Sequence, residues 1–153
     1  MSRKPKLKFY WSVIRPVAVY GCETRVLKES IIQRLSVFGR KILRKIFGLT
    51  EEDNGKWINK INVELDELIK HRNIINYVKA QRLSLFGLKN RMPETSIVKK
   101  IHKWKPFTAR TVGREDDVRK DLKKTKLIKW TEQVQDRLKW KEIVEKAKTL
   151  PEL

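Results

Sequence analysis

The sequence predicts an all-α protein, a single-domain bundle of about six helices with a C-terminal helical pair that packs loosely on the rest. Three observations predict this class. Glycine and proline are scarce, with six and five residues, and they fall at plausible helix breaks. Apolar residues make up 40% of the chain at a mean hydropathy of −0.57, so the core must be built from narrow apolar stripes. Residues 28–47 carry such a stripe at helical spacing.

Two helices are predicted in the first third of the chain. Residues 7–20 are apolar nearly all round, so we expect this helix to be the most buried, kinked at Pro16 and ended by Gly21. Residues 28–47 form the second helix, ended by Gly48. Its apolar stripe consists of Ile31, Leu35, Phe38, Ile42 and Ile46, widened by Ile32, Leu43 and Phe47. Its opposite face carries Arg34, Arg40, Lys41, Arg44 and Lys45.

The middle of the chain predicts a loop followed by two helices. Residues 50–61 read as a loop with an Asn54-Gly55 turn, although residues 57–61 could form one short strand. Asn62 can cap a short helix that runs to residue 69. A further helix covers residues 73–91, where Gly87 indicates either a close helix crossing or an early stop.

The last third of the chain predicts a separate helical pair. Residues 104–113 have no helical period and are expected to link the helical region of residues 1–103 to the C-terminal pair (114–153). The pair consists of helices over residues 114–126 and 131–150. The first of them opens on three adjacent acidic residues, Glu115, Asp116 and Asp117. Acidic side chains at a helix start complement the helix dipole, so we interpret them as stabilising rather than as metal ligands.

Side chains that could do chemistry are few. Cys22, His71 and His102 are the only soft metal ligands, so a zinc site and an intrachain disulfide are not expected. The sequence contains no phosphate-binding glycine loop and no nucleophile elbow. No apolar run approaches the roughly 20 residues of a membrane helix. We therefore expect no enzyme activity, no cofactor, no metal, no small-molecule substrate and no membrane insertion.

The charge of the chain indicates its partner. Lys and Arg exceed Asp and Glu by 19, and the excess is concentrated in the first two thirds of the sequence. A compact chain with this charge repels itself, and a polyanion relieves the repulsion. We therefore predict binding to RNA or DNA. The expected phosphate contacts are Arg34, Arg40, Lys41, Arg44, Lys45, Lys79 and Arg82.

The alternative function is a helical interaction module. In that case the apolar face of residues 31–46 and the helix of residues 130–147 would dock on a protein partner. The five tryptophans are similarly ambiguous, because they could stack on bases or belong to the core. Localisation is either nuclear or cytoplasmic, with Arg3-Lys4-Pro5-Lys6 as a weak nuclear signal.

Several short motifs, in order along the chain, resemble one known family. They are Ile14-Arg15-Pro16-Val17, Tyr20-Gly21-Cys22-Glu23-Thr24, Arg40-Lys41-Ile42-Leu43-Arg44-Lys45-Ile46-Phe47-Gly48, Ala80-Gln81-Arg82-Leu83, Arg91-Met92-Pro93 and Gln135-Asp136-Arg137 with Trp140. Together they resemble the C-terminal region, from the thumb onwards, of the endonuclease-reverse transcriptases of non-LTR (LINE-type) retrotransposons. The sequence departs from the family pattern at Arg25, where tryptophan is usual, and at Gly87-Leu88-Lys89, where Gly-His-Val is usual.

The resemblance implies a role in holding nucleic acid rather than in bond formation. In such enzymes this region grips template and primer, whereas the palm's paired aspartates carry the chemistry. The resemblance therefore implies a non-catalytic fragment that binds template-primer or docks on a palm.

Overall fold

The computed structural model describes residues 2–51, 55–103, 114–124 and 130–149. Within these ranges the chain is mainly helical, which confirms the all-α class. The helices are α1 (Arg3–Phe9), α2 (Arg15–Ala18), α3 (Glu29–Phe47), α4 (Asn62–Leu68), α5 (Ile74–Arg91), α6 (Ile97–Lys103), α7 (Arg114–Lys124), α8 (Trp130–Gln133) and α9 (Arg137–Ala147). None of the helices in the described ranges has the length and apolar character that crossing a bilayer requires.

The first helical stretch is less buried than its composition indicates. A π-helical segment, Tyr10–Ile14, joins α1 to α2, and the stretch ends before Gly21, which has a φ of +68°. Tyr10 is fully buried, but Phe9, Val13 and Val17 are exposed on the other side. The expectation that this helix is the most buried is therefore wrong, because only one of its sides meets α3 and α5.

α3 matches its prediction in extent but not in orientation. It begins at Glu29 and ends at Phe47, and the conformation of Gly48 terminates it. The side that packs into the protein is centred on Gly39, Leu43 and Phe47, whereas Ile31 and Phe38 remain exposed. The buried stripe is thus displaced by about one residue from the predicted one, towards Leu43 and Phe47, which were predicted at its margin.

A small hairpin follows α3 where a loop was predicted. Strands β1 (Leu49–Glu51) and β2 (Trp57–Asn59) pair in antiparallel fashion, with Leu49 opposite Asn59. The strand predicted over residues 57–61 is therefore confirmed in shortened form, while the predicted turn at Asn54 lies outside the described residues. Arg44 attaches the hairpin to α3, because its Nε donates to the carbonyl of Lys60 at 3.3 Å.

α5 is the centre of the fold. Its start is capped by Asn73, whose side-chain oxygen accepts a hydrogen bond from the Asn76 amide at 2.8 Å. One end packs with Val19, Cys22 and α3, and the other end packs with α7 and α9. Buried residues occur all around it, so α5 and not the first helical stretch is the most buried element. Asn62, predicted as a cap, is instead the first residue of α4.

The C-terminal helices are packed closely rather than loosely. Trp140 of α9 is buried against α5, and its indole Nε1 donates to the carbonyl of Leu83 at 3.0 Å. A side chain at Gly87 would overlap this indole, which confirms the predicted close crossing. The predicted final helix is divided into α8 and α9, because Asp136 caps a new helix start. The predicted linker, residues 104–113, lies outside the described residues.

Candidate nucleic-acid interface

The candidate interface is the solvent side of α3. From Ser30 to Phe47 the helix carries five cations and no acidic residue: Arg34, Arg40, Lys41, Arg44 and Lys45. Arg34, Lys41 and Lys45 are exposed and follow each other at steps of seven and four residues. These steps place them on one line, opposite the buried Leu43. We call these three residues the α3 stripe.

The two remaining cations of α3 flank the stripe and are half-buried. Arg44 is held in place by two hydrogen bonds, since its Nη2 also donates to Oδ1 of Asn62 at 2.8 Å. It therefore connects α3 to the hairpin and to α4, and its positive charge sits at a fixed position. Arg40 borders a small pocket formed with Tyr10 and Ile74.

The aromatic side chain of Phe38 lies next to the α3 stripe. Phe38 is 39% exposed and stands one turn from both Arg34 and Lys41. An exposed aromatic side chain among cations is the arrangement with which proteins stack on unpaired bases. The sequence analysis missed the exposure of Phe38, because it assigned this residue to the buried stripe. Helical periodicity alone offers no signal that would correct a displacement of one residue.

The cations of α5 occupy a different environment from those of α3. Lys79 is buried and its Nζ lies 3.6 Å from a carboxylate oxygen of Asp121 in α7. Arg82 is only 2% exposed. Side chains held in this way do not offer their charge to a phosphate, so neither of these two predicted contacts belongs to the surface. The sequence placed them with α3 because their burial depends on α7 and α9, which come later in the chain.

Two further cations of α5 are also engaged within the protein. The Nζ of Lys89 lies 5.0 Å from the ring centre of Phe86, a cation–π contact. Nη1 of Arg91 donates to the carbonyl of Val134 at 3.0 Å. All four cations of α5 therefore support the interior packing, whereas exposed cations lie on α3 and on α1, the latter carrying Arg3, Lys4, Lys6 and Lys8.

Most of the described tryptophans are structural. Trp140 lies in the core beside Phe86, and Trp130 packs on the same ring with centroids 5.2 Å apart. Trp11 is half-buried and packs against the core cluster that contains Tyr10, Leu43 and Phe47. Trp57 in β2 is exposed, but the neighbouring sequence, Glu51-Glu52-Asp53, is acidic and would repel phosphates.

In the part of the chain that the structure describes, the potentially reactive side chains are buried or isolated. Burial raises the pKa of the Cys22 thiol to about 11, so it stays protonated at neutral pH and is a poor nucleophile. Burial also raises the pKa of Tyr10. Among the described residues, no three His, Cys, Asp or Glu side chains are close enough to hold a metal ion. The acidic triplet falls in the first turn of α7, at the helix start that the sequence predicted.

Comparison of the chain with protein-family models, with curated proteins and with solved structures gave no match. The functional assignment therefore depends on the residues of this chain and on the geometry of its basic surface.

Proposed function

We propose that this chain is a non-catalytic nucleic-acid-binding protein whose contact surface is the α3 stripe with its flanking Arg40 and Arg44. The observation that carries the proposal is that the cations of α3 and the cations of α5 lie in different environments. Arg34, Lys41 and Lys45 of α3 are exposed, and Glu29 is the one acidic residue of that helix, whereas the cations of α5 are engaged inside the fold. The overall charge of +19 supplies long-range attraction to a polyanion.

The spacing of the α3 stripe suits a phosphate backbone. With a rise of 1.5 Å per residue, Lys41 and Lys45 lie about 10 and about 16 Å along the helix from Arg34. Flexible lysine and arginine side chains can reach successive phosphates over such a distance, with Arg40 and Arg44 as additional contacts. We expect three to five phosphate contacts, fewer than the seven residues that the sequence predicted.

The family resemblance supports the same proposal. The residues Arg40 to Gly48 form one of its longest continuous motifs, and they include four of the five cations of α3. We therefore propose that the chain is related to the thumb and downstream region of non-LTR reverse transcriptases, and that it grips template, primer or another nucleic acid without forming bonds.

The salt dependence of binding tests the proposal. The logarithm of the affinity for duplex should fall with the logarithm of salt concentration at a slope of about −3 to −4.5, and somewhat less steeply for single strands. Replacing Arg34, Lys41 and Lys45 by Gln should reduce the magnitude of the duplex slope by about 2.7. The matched control replaces Lys120, Lys123 and Lys141, which are exposed on α7 and α9.

Both triple variants lower the net charge by the same amount. If they weaken binding and flatten the slope equally, the attraction is a property of the whole chain and the α3 surface is not the site. If the wild-type protein shows no salt-dependent binding, the proposed function fails altogether.

A second candidate function is docking of a protein, favoured by an open groove of about 950 Å³ between α5 and α9. Leu85, Leu88, Leu138 and Val144 form its apolar lining, and Arg137 and Lys141 add positive charge. Such a groove suits an apolar segment with acidic residues, whether it belongs to a polymerase palm or to another partner. Absence of binding to RNA and DNA at low salt would favour this candidate over the first.

A further inference from the structure

The surface of α4 differs in charge from the rest of the chain. Its seven residues, Asn62–Leu68, include three acidic and no basic side chains, a net charge of −3 in a protein of charge +19. Leu65 and Ile69 bury the inner side of α4. Its outer side, which we call the α4 face, combines exposed apolar and acidic side chains: Ile61, Val63, Glu64, Glu67 and Leu68.

α6 presents its apolar side to solvent instead of burying it. Its Lys99 turns towards the protein, where Nζ donates to the carbonyls of Asn90 and Met92 and lies 2.9 Å from a carboxylate oxygen of Glu94. The exposed side, which we call the α6 face, consists of Ile97, Val98, Lys100 and Ile101. Amphipathic helices bury their apolar stripe, so this exposure indicates a surface that receives a partner.

We propose that the α6 face of one copy of this chain docks on the α4 face of a second copy. The two faces are matched in size, since each belongs to a seven-residue helix and each contributes three large apolar side chains. They are opposite in charge, because the α4 face brings Glu64 and Glu67 and the α6 face brings Lys100.

The charge of the chain also selects this pairing. Two proteins of charge +19 repel each other over most of their surfaces, and the repulsion is least where one of them is locally acidic. At physiological salt the repulsion is screened beyond about 8 Å, so the local pairing of acidic and basic groups decides the contact. A basic apolar helix therefore docks most favourably on the α4 face.

The positions of the two faces exclude pairing within one copy. α4 lies before the start of α5 and α6 lies after its end, and a helix of 18 residues separates them by about 27 Å. Each copy can thus give its α6 to one neighbour and accept the α6 of another. Such a head-to-tail contact does not close on itself at two copies, and it produces rings or extended chains of molecules.

Sedimentation of the purified full chain, without nucleic acid, tests the proposal independently of the proposed function. The average mass should rise above 18.3 kDa with increasing protein concentration. Ile101→Glu and Val63→Lys should each weaken association at least about tenfold, since each adds a like charge to the contact. Both residues are exposed, at 68% and 63%, so the variants should fold.

Mixing the two variants distinguishes a head-to-tail contact from general stickiness. Ile101→Glu retains an intact α4 face and Val63→Lys retains an intact α6 face, so the mixture should form a discrete dimer although each variant alone is monomeric. Val17→Lys and Val17→Glu, at one exposed apolar position elsewhere, serve as controls and should associate like the wild type.

Three results would overturn the proposal. The first is a wild-type mass that stays at 18.3 kDa at all concentrations. The second is a mixture of the two variants that remains monomeric. The third is an Ile101→Glu chain that associates normally but binds RNA or DNA more weakly, because α6 would then contact nucleic acid instead of a second copy.

Discussion

α3 and α5 are the two long helices of this protein, and they use similar residues in opposite ways. Both are rich in Lys and Arg, and apart from Glu29 neither carries an acidic residue. α3 is covered on one side and keeps its cations in solvent, whereas α5 lies between two core clusters and encloses its cations. The comparison teaches that the function of a basic helix depends on how many elements cover it.

The largest expected effect comes from removing the cover of α5. Trp140→Ala should lower the free energy of unfolding by about 3–5 kcal/mol, because a buried indole and its contact with Gly87 are lost. Urea denaturation followed by far-ultraviolet circular dichroism measures this change. Trp57→Ala, at an exposed position, is the matched control and should change stability by less than about 0.5 kcal/mol. Equal effects at the two tryptophans would contradict the closely packed crossing.

The next effect separates an enclosed cation from an exposed one. Asp121→Leu should destabilise the protein by about 2–4 kcal/mol, because it removes the carboxylate beside the buried Lys79. The double variant Lys79→Met/Asp121→Leu should recover most of that loss, since two apolar side chains can replace a buried ion pair. Lys41→Met on α3 should leave the urea midpoint unchanged. A double variant less stable than Asp121→Leu would contradict this account.

A smaller effect is expected at the end of α3. Gly48 has φ +76° and ψ −167°, a conformation that other residues avoid, although no neighbouring atom blocks a side chain there. Gly48→Ala should therefore cost about 1–3 kcal/mol through the backbone alone. Since the α3 stripe is unaffected, the salt slope of nucleic-acid binding should stay the same. If Gly48→Ala keeps the wild-type stability but flattens the salt slope of nucleic-acid binding, Gly48 acts on binding and not on the backbone, and this account is contradicted.

The smallest effect concerns pH and the start of α9. Hydrogen bonds from the amides of Lys139 and Leu138 hold the pKa of Asp136 below its usual value. The ionised cap therefore stabilises the protein above the usual pKa of aspartate, and its contribution is lost as the pH falls through the lowered pKa. The melting temperature of Asp136→Asn should decline less than that of the wild type below about pH 4. If the melting temperatures of the two proteins fall equally with pH, the assignment of Asp136 as an ionised helix cap is contradicted.

The sequence predicted those features of the fold that neighbouring residues determine. The extent of α3 and its end at Gly48 follow from local spacing and from a single glycine. Features that need a distant partner were missed. The hairpin depends on Arg44 bonding to the carbonyl of Lys60, and the fate of Lys79 depends on Asp121 in a later helix.

The candidate site was predicted in part for the same reason. Arg34, Lys41 and Lys45 are on the surface, where helical periodicity placed them, because α3 is covered on one side. Periodicity cannot identify a helix that is covered on several sides, so Arg82 of α5 was grouped with them. Nor could it fix the rotation of α3 to within one residue, and this rotation decides whether Phe38 faces the core or solvent.

The π-helical segment at Tyr10–Ile14 has a consequence for how the chain can vary in length. A π turn holds one residue more than an α turn, so the segment stores a spare residue inside an otherwise regular helix. Deleting Ser12, whose side chain is exposed, would let the segment relax into ordinary α-helix without shortening the core contacts on either side. Among the helices that the structure describes, this stretch is therefore the one where a single-codon deletion should be tolerated best.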